Sequence, residues 1–207
     1  LSPVAYKIES MKNAKPSPFV IVTPVYEDGD AANQLFSELK QEYGELASMV
    51  AIDDGSIRDP LKASSLLGFN EQSAILVLKR NIGHQRAIAV GLSYASEHFP
   101  DLPVVIMDSD GEDRPKSVAV LLEKLSSNPA VDAVVATRKS RVESIRFQIF
   151  YSLYKFLFKI ATGREINFGN FMALSPKAAA RLSVMQELWI HVAASILASK
   201  LRIDSCA

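Results

Sequence analysis

Residues 19–24 read Phe-Val-Ile-Val-Thr-Pro, a run of apolar and β-branched side chains closed by a proline. Such a run is typical of a strand that is buried on both faces of a sheet. The stretch over 30–43 carries apolar side chains at helical spacing and is followed by Gly44, a common helix stop. The ordered part of the chain is therefore predicted to begin with a β-strand and an α-helix.

The same alternation continues along the chain. Further apolar strands are predicted at 49–52, 74–78, 104–107 and 133–136, with helices over about 85–98 and from Pro115 onwards. Nearly continuous apolar strands that alternate with helices predict an α/β fold, with a mostly parallel sheet covered on both faces.

The ends of the sequence differ from this middle part. Residues 1–18 hold three prolines and scattered lysines, and are predicted to form a flexible lead-in to one domain over 19–207. The chain does not begin with methionine, and it stops where Leu201 begins another strand-like run. We therefore expect a fragment whose domain is incomplete at its C-terminal end.

Composition excludes several classes of protein. The 207 residues include 23 basic and 23 acidic side chains and one cysteine. A lone cysteine excludes a disulfide scaffold and a cysteine-based zinc finger. Zero net charge argues against nucleic acid as the main partner. Nothing in the sequence approaches the run of about 18 apolar residues that a membrane-spanning helix needs.

Acidic residues collect where the predicted strands end, the edge at which parallel sheets bind ligands. The segment Asp108 to Asp113 has four carboxylates in six residues. Carboxylate oxygens are the ligands that Mg²⁺ and Mn²⁺ prefer, although an acidic turn can also cap the next helix. Because a second pair, Asp53 and Asp54, lies on the same predicted rim, we favour the metal interpretation.

The segment Asp53-Asp54-Gly55-Ser56 by itself has an ordinary turn composition. An aspartate at a strand end is also well placed to accept a hydrogen bond from a base or a ribose hydroxyl. The sequence has neither a Gly-x-Gly-x-x-Gly loop nor a Gly-x4-Gly-Lys-Ser/Thr loop, so a metal ion is predicted to bind any phosphate.

Four motifs in order resemble family 2 glycosyltransferases of the GT-A fold. They are residues 22–28 (Val-Thr-Pro-Val-Tyr-Glu-Asp), 53–56, 80–83 (Arg-Asn-Ile-Gly) and 107–115 (Met-Asp-Ser-Asp-Gly-Glu-Asp-Arg-Pro). The chain is most similar to the branch with dolichyl-phosphate mannose synthase and bacterial polyprenyl-phosphate sugar transferases. The resemblance spans about 19–182 and implies a GT-A type Rossmann-like sheet.

The resemblance also implies an enzyme of the hexosyltransferase type. Such an enzyme transfers a sugar, with inversion, from a nucleoside-diphosphate sugar that carries Mg²⁺ or Mn²⁺. The implied donor-binding residues are Pro24, Tyr26, Asp28, Asp54, Arg80, Asn81 and Asp108. The implied metal ligands are Asp108, Asp110 and Glu112, of which Asp110 is also catalytic and Glu112 replaces the glutamine usual in this branch.

The acceptor side can be interpreted in more than one way. Arg138 (also a candidate catalytic residue) and Arg141 either bind an acceptor phosphate or form a solvated basic loop. Asn170 stands where the family has an acceptor-side aspartate. Glu187 is either the general base for a hydroxyl acceptor or an ordinary surface residue. His84 and His191 are alternative bases, although a lone histidine is more often structural.

Residues 147–161 form an unusually apolar predicted helix, with eleven apolar or aromatic side chains among fifteen. It is either a core helix, a dimer interface or an interfacial helix on a bilayer. Because polyprenyl phosphate is a lipid, we favour the bilayer and expect a cytoplasmic protein at the cytoplasmic face of the membrane, acting in the cell envelope.

The expected acceptor is thus a lipid phosphate, and the second choice is a glycan hydroxyl of a cell-surface polysaccharide. Two different classes of protein also share features with this sequence, namely a non-catalytic nucleotide-binding module and a sugar-1-phosphate nucleotidyltransferase. The nucleotidyltransferase is disfavoured because residues 26–28 (Tyr-Glu-Asp) are not its usual Gly-rich basic loop.

Overall fold

The structure, a computed structural model, describes residues 18–137 and 168–206. Its strands are β1 (Phe19–Val25), β2 (Ala47–Asp53), β3 (Ala74–Val77), β4 (Val104–Ile106), β5 (Ala133–Thr137), β6 (Phe168–Leu174) and β7 (Ile203–Cys206). Its α-helices are α1 (Gly29–Tyr43), α2 (His84–His98), α3 (Pro115–Ser127), α4 (Pro176–Ser183) and α5 (Val192–Ala198). Short 3₁₀ turns cover Gly44–Leu46, Ala63–Leu66 and Gln186–Trp189. Within these ranges, no helix has the length and apolarity needed to cross a membrane.

The seven strands form one sheet in the order β3-β2-β1-β4-β6-β5-β7. Strands β3, β2, β1 and β4 pair in parallel, as do β5 and β7, whereas β6 runs antiparallel to both β4 and β5. The predicted α/β fold with a mostly parallel sheet is confirmed. The predicted lead-in lies, except for Pro18, outside the described residues.

The core lies on both faces of the sheet. Every residue of β1 and β2 is buried, which is why both strands read as continuous apolar runs and do not alternate. In β1, Phe19 and Ile21 belong to the core layer shared with α1 and α3, while Val20 and Val22 belong to the layer shared with α2. Helices therefore cover both faces, and the loops at the carboxyl ends of the strands are left to form a site.

A glycine sets how closely α2 approaches the sheet. A Cβ atom at Gly91 would lie 2.4 Å from Ile52 Cδ1 and 2.6 Å from Val22 Cγ1, closer than any side chain tolerates. The helix axis can lie this near the strands only because position 91 has no side chain. This packing fixes the position of the α2 N-terminus beside the ends of β1 and β2.

The Tyr43 hydroxyl fastens the first turn of α3. It donates to the Pro115 carbonyl at 2.8 Å and accepts from the Ala119 amide at 3.1 Å. In a regular helix the Ala119 amide would donate directly to the Pro115 carbonyl. Here the Tyr43 hydroxyl bridges these two groups instead. Burial raises the pKa of Tyr43 to about 12, so the hydroxyl remains a donor at physiological pH.

Candidate functional site

A pocket of about 240 Å³ opens at the carboxyl ends of β1, β2 and β4, beside the first residue of α2. Its lining consists of Pro24, Val25, Tyr26, Asp28, Asp54, His84, Asp108, Ser109 and Asp110. Six residues with predicted donor or metal roles thus share one cavity: Pro24, Tyr26, Asp28, Asp54, Asp108 and Asp110. The edge of the sheet that the sequence indicated is where this pocket lies.

Asp54 is built into the wall of the pocket. It is 2% exposed, and its two carboxylate oxygens accept hydrogen bonds from the Ile82 amide at 2.8 Å and the Gly83 amide at 2.9 Å. It therefore holds the loop that leads into α2. This anchoring role competes with the predicted contact to a base or ribose.

The neighbouring Gly55 lets this loop come close. Its φ is +77°, and a Cβ there would lie 2.5 Å from the Arg80 carbonyl carbon. Arg80 and Asn81 are exposed on the loop and do not line the pocket.

Asp53 anchors a second loop, because it accepts from the amides of Ser56 at 2.8 Å and Leu61 at 2.9 Å.

Glu27 belongs to the first motif, but the sequence did not assign a role to it. It adopts a φ of +50°, which is uncommon for a residue with a side chain, and lies between pocket residues Tyr26 and Asp28. Its carboxylate accepts from three successive amides, those of residues 57, 58 and 59, each at 3.0 Å. These bonds, that of Ile57 first, lower the pKa of Glu27. The contacts span about thirty positions in sequence, so no local pattern reveals them.

The acidic loop after β4 brings two carboxylates to the pocket. Asp108 Oδ1 is buried and accepts no hydrogen bond within the described part of the chain. Its neighbour is His84 Nε2, 3.2 Å away, but the approach does not have the angles of a hydrogen bond. Asp110 is exposed and accepts the Glu112 amide at 2.9 Å. Glu112 itself is exposed and outside the lining.

These residues fit a divalent cation that takes part of its coordination from a ligand. Within residues 18–137 and 168–206, no three histidine, cysteine or carboxylate side chains are grouped to hold a metal by themselves. Mg²⁺ usually keeps several waters and binds one or two carboxylates together with substrate phosphates. A buried carboxylate oxygen without a donor, beside an exposed second carboxylate, matches that requirement.

His84 connects the pocket to β6. The short contact with the negatively charged Asp108 carboxylate, and after it the charges of Asp110 and Asp54, raise the pKa of His84, while burial opposes this. On its other side, His84 Nε2 lies 3.0 Å from Asn170 Nδ2. Asn170 was predicted on the acceptor side, and it borders the pocket through this histidine.

The other predicted acceptor-side residues do not line this pocket. Glu187 is exposed in the 3₁₀ turn Gln186–Trp189, and His191 caps α5, where its Nδ1 accepts from the Ala194 amide at 3.4 Å. Arg138, Arg141 and the apolar segment 147–161 lie outside the described residues.

The fold is shared with solved glycosyltransferases. The chain is similar to the mannosyltransferase PcManGT from Pyrobaculum calidifontis, in complex with GDP-Man and Mn²⁺ (TM-score 0.58, 16% identity, covering 96% of this chain and 58% of that one). It is also similar to glucosyl-3-phosphoglycerate synthase from Mycobacterium tuberculosis, in complex with Mn²⁺, UDP and glucosyl-3-phosphoglycerate (TM-score 0.54, 14% identity, covering 91% and 69%). These likenesses show that the sheet and its helices form a GT-A type domain.

The chain belongs to Glycosyl transferase family 2, whose model matches residues 20–189. An uncharacterized glycosyltransferase of Synechocystis, sll0501, is 30% identical over 142 residues, which cover 64% of this chain and 43% of that protein. The chain spans less than half the length of the curated relatives it matches. The family resemblance is thus confirmed, while the narrower branch stays a prediction.

Proposed function

We propose that this chain is the donor-binding and catalytic part of a glycosyltransferase, which takes a sugar from a nucleoside-diphosphate sugar in the pocket described above. The observation that carries the proposal is the buried Asp108 Oδ1, which has no hydrogen-bond donor in the described part of the chain and lies at the pocket beside Asp110. Burial of such an atom costs about 1–3 kcal/mol unless something compensates it, and a bound cation would do so.

Different residues of the pocket would bind different parts of the nucleotide-sugar donor. Asp108 and Asp110 would hold Mg²⁺ or Mn²⁺, which when bound stabilises the negative charge that develops on the departing diphosphate. Tyr26 is 51% exposed and offers a ring face to a nucleobase. Asp28, at the start of α1, makes no capping hydrogen bond with its side chain, so its carboxylate is available to a ribose hydroxyl.

The acceptor we propose is polyprenyl phosphate, with inversion at the sugar carbon. A phosphate is ionised at neutral pH and needs no general base, which agrees with a pocket lining that contains no Glu187. Transfer to this lipid would place the protein at a membrane surface, and the apolar segment 147–161 is the part of the sequence suited to that contact.

Calorimetric titration with UDP, GDP, dTDP and CDP sugars, with and without Mn²⁺, tests the donor site. We expect one nucleotide to bind in a Mn²⁺-dependent manner, and we expect Asp110→Asn to weaken that binding at least tenfold. Asp101→Asn, at an exposed position outside the pocket, is the matched control and should leave it unchanged. Binding that Asp110→Asn does not alter would contradict the metal site. The acceptor is then tested by measuring sugar transfer from the preferred donor to vesicles that contain polyprenyl phosphate and to vesicles that lack it.

A further inference from the structure

Helix α1 is capped by a residue from another loop. Asp28 directly precedes the helix, and aspartate is among the residues that most often cap a helix with their own side chain. The Asp28 carboxylate makes no such bond. Instead, Asp59 in the loop after β2 accepts the Asp30 amide on Oδ2 at 3.2 Å. This amide belongs to the second residue of α1, one of the two positions that a capping side chain normally binds.

The backbone of Asp59 is held in place for this contact. Its amide donates to Glu27 Oε2 at 3.0 Å, and the Glu27 amide donates to Ser56 Oγ at 2.8 Å, so the two loops are fastened in both directions. Pro60 follows Asp59, and a proline favours an extended conformation in the residue before it. The position of the Asp59 backbone is therefore set independently of the helix that its side chain caps.

The first residue of α1, Gly29, makes room for the Asp59 carboxylate. A Cβ atom at position 29 would lie 2.7 Å from Asp59 Oδ1 and 2.9 Å from Asp59 Cγ, closer than a side chain tolerates. The φ of Gly29 is not in the left-handed region, so its backbone conformation does not itself require glycine. The close approach of Asp59 is thus the feature of the structure that requires glycine at this position.

The consequence of this arrangement falls on Asp28, which lines the pocket, whereas Asp59 does not. Because the Asp30 amide already has an acceptor, the helix does not need the Asp28 carboxylate. The backbone of Asp28, with φ of −142° and ψ of 44°, also differs from the extended conformation of most capping residues. One carboxylate thus caps the helix, and the other is left to the pocket.

We propose that Asp59 is a positioning residue that caps α1 in place of Asp28 and thereby keeps the Asp28 carboxylate free to bind the ribose of the donor. Asp59 does not need to touch the donor for this role. Without the Asp59 carboxylate, the Asp30 amide would bind the Asp28 carboxylate instead, which would then leave the pocket. The contact with ribose rests on the proposed function, but the exchange of caps does not.

Thermal unfolding tests the exchange of caps without any ligand. In the wild-type background, Asp28→Ala should leave Tm nearly unchanged, because that carboxylate caps nothing. In the Asp59→Ala background, where Asp28 has become the cap, Asp28→Ala should lower Tm by about 2–4 °C, the value of a typical cap in a domain of this size. Equal effects of Asp28→Ala in the two backgrounds would overturn the inference.

Nucleotide binding tests the consequence for the pocket. The probe is whichever of UDP, GDP, dTDP and CDP the wild-type protein binds with Mn²⁺, and calorimetry measures its Kd. A cap of typical strength would hold Asp28 on the helix in most molecules, so Asp59→Ala should weaken binding about fivefold. Gly29→Ala, which displaces the Asp59 carboxylate, should weaken binding to the same extent.

Two conservative variants are the controls. Asp59→Asn should bind nucleotide like the wild type, because an asparagine oxygen caps a helix as well as a carboxylate does. Asp30→Asn removes a carboxylate from the same turn but keeps the amide that Asp59 binds, so it should also bind normally. A loss in Asp59→Asn as large as that in Asp59→Ala would show that the cap is not the cause.

A double substitution then identifies the residue through which Asp59 acts. In the Asp28→Ala background, Asp59→Ala should cause no further loss of binding, and a further fivefold loss would overturn the link between the two residues. Pyrophosphate with Mn²⁺ has no ribose and should bind equally to all variants, so a parallel loss there would exclude the ribose contact. If the wild-type protein binds none of the four nucleotides, the proposed function fails, while the melting temperatures still decide the exchange of caps.

Discussion

Asp54 separates two explanations of the pocket, because it can be either a loop anchor or a ligand contact. Its carboxylate is 2% exposed and accepts from the amides of Ile82 and Gly83 at 2.8 and 2.9 Å. Asp54→Asn is nearly isosteric, yet an asparagine oxygen can accept from only one of these amides, and its amino group must face the other. Both hydrogen bonds lose their charged acceptor and one of them is lost altogether, because the second backbone amide and the asparagine amino group face each other as donors without an acceptor.

These losses set the expected magnitude. A hydrogen bond to a charged group contributes about 1.5–3 kcal/mol, and an unsatisfied buried donor costs about 1–3 kcal/mol, part of which is the same loss. We therefore expect Asp54→Asn to lower the free energy of unfolding by about 2–4 kcal/mol. In a domain of this size each kcal/mol shifts Tm by about 2–4 °C, so the melting temperature should fall by roughly 5–15 °C.

Thermal and urea unfolding measure this change, and nucleotide binding is then titrated well below the melting temperature. Asp28→Asn is the matched control, since it also changes a pocket aspartate, but one whose side chain makes no capping hydrogen bond. Asp28→Asn should weaken nucleotide binding and leave the free energy of unfolding nearly unchanged. If Asp54→Asn melts like the wild type but fails to bind nucleotide, Asp54 is a ligand contact and the anchoring argument is wrong.

Two further predictions concern stability. The Arg202 hydrogen bonds lower the pKa of Asp132 to about 2, so their contribution is present above pH about 4 and is lost as pH falls towards 2. Arg202→Gln should lower the free energy of unfolding only slightly at pH 7, because the Arg202 side chain is 59% exposed. An equal cost at pH 2.5, measured by urea unfolding, would exclude this linkage. Gly91→Ala should lose about 1–2 kcal/mol, since overpacking against Ile52 Cδ1 at 2.4 Å outweighs the gain in helix propensity. Ile52→Val removes that atom, so the two substitutions should show a favourable coupling above about 0.5 kcal/mol in a double-mutant cycle, and strict additivity would refute the contact.

The sheet could be predicted from the sequence because strands that are buried on both faces consist almost entirely of apolar or small residues. Residues 19–25 and 47–53 are buried throughout, and they are correspondingly apolar or small except for Asp53 at the end of the second strand. The edge that carries the pocket followed from the same strands, since parallel neighbours end together. The antiparallel insertion of β6 between β4 and β5 could not be predicted, because it depends on pairing with strands far away in sequence.

The sequence predicted six of the residues that share the pocket, but not which of its carboxylates hold backbone amides. Turn-forming and ligand-binding aspartates use the same residue type, so only the structure shows that Asp54 holds backbone amides. Arg80 belongs to a motif of the family, yet its exposure depends on how the loop folds around Gly55. The role of Glu27 could not be predicted, because its partners lie about thirty positions away.

The anchoring carboxylates have a consequence for how this protein can change in evolution. Glu27 and Asp54 bind main-chain amides of residues 57–59 and of residues 82 and 83. Every residue except proline has such an amide. These hydrogen bonds therefore hardly restrict which side chains the two loops can carry. Ile57, which is 87% exposed, can be exchanged while the loop keeps its course. Mutations in these loops can therefore alter what the rim of the pocket contacts while the framework around Asp108 stays in place.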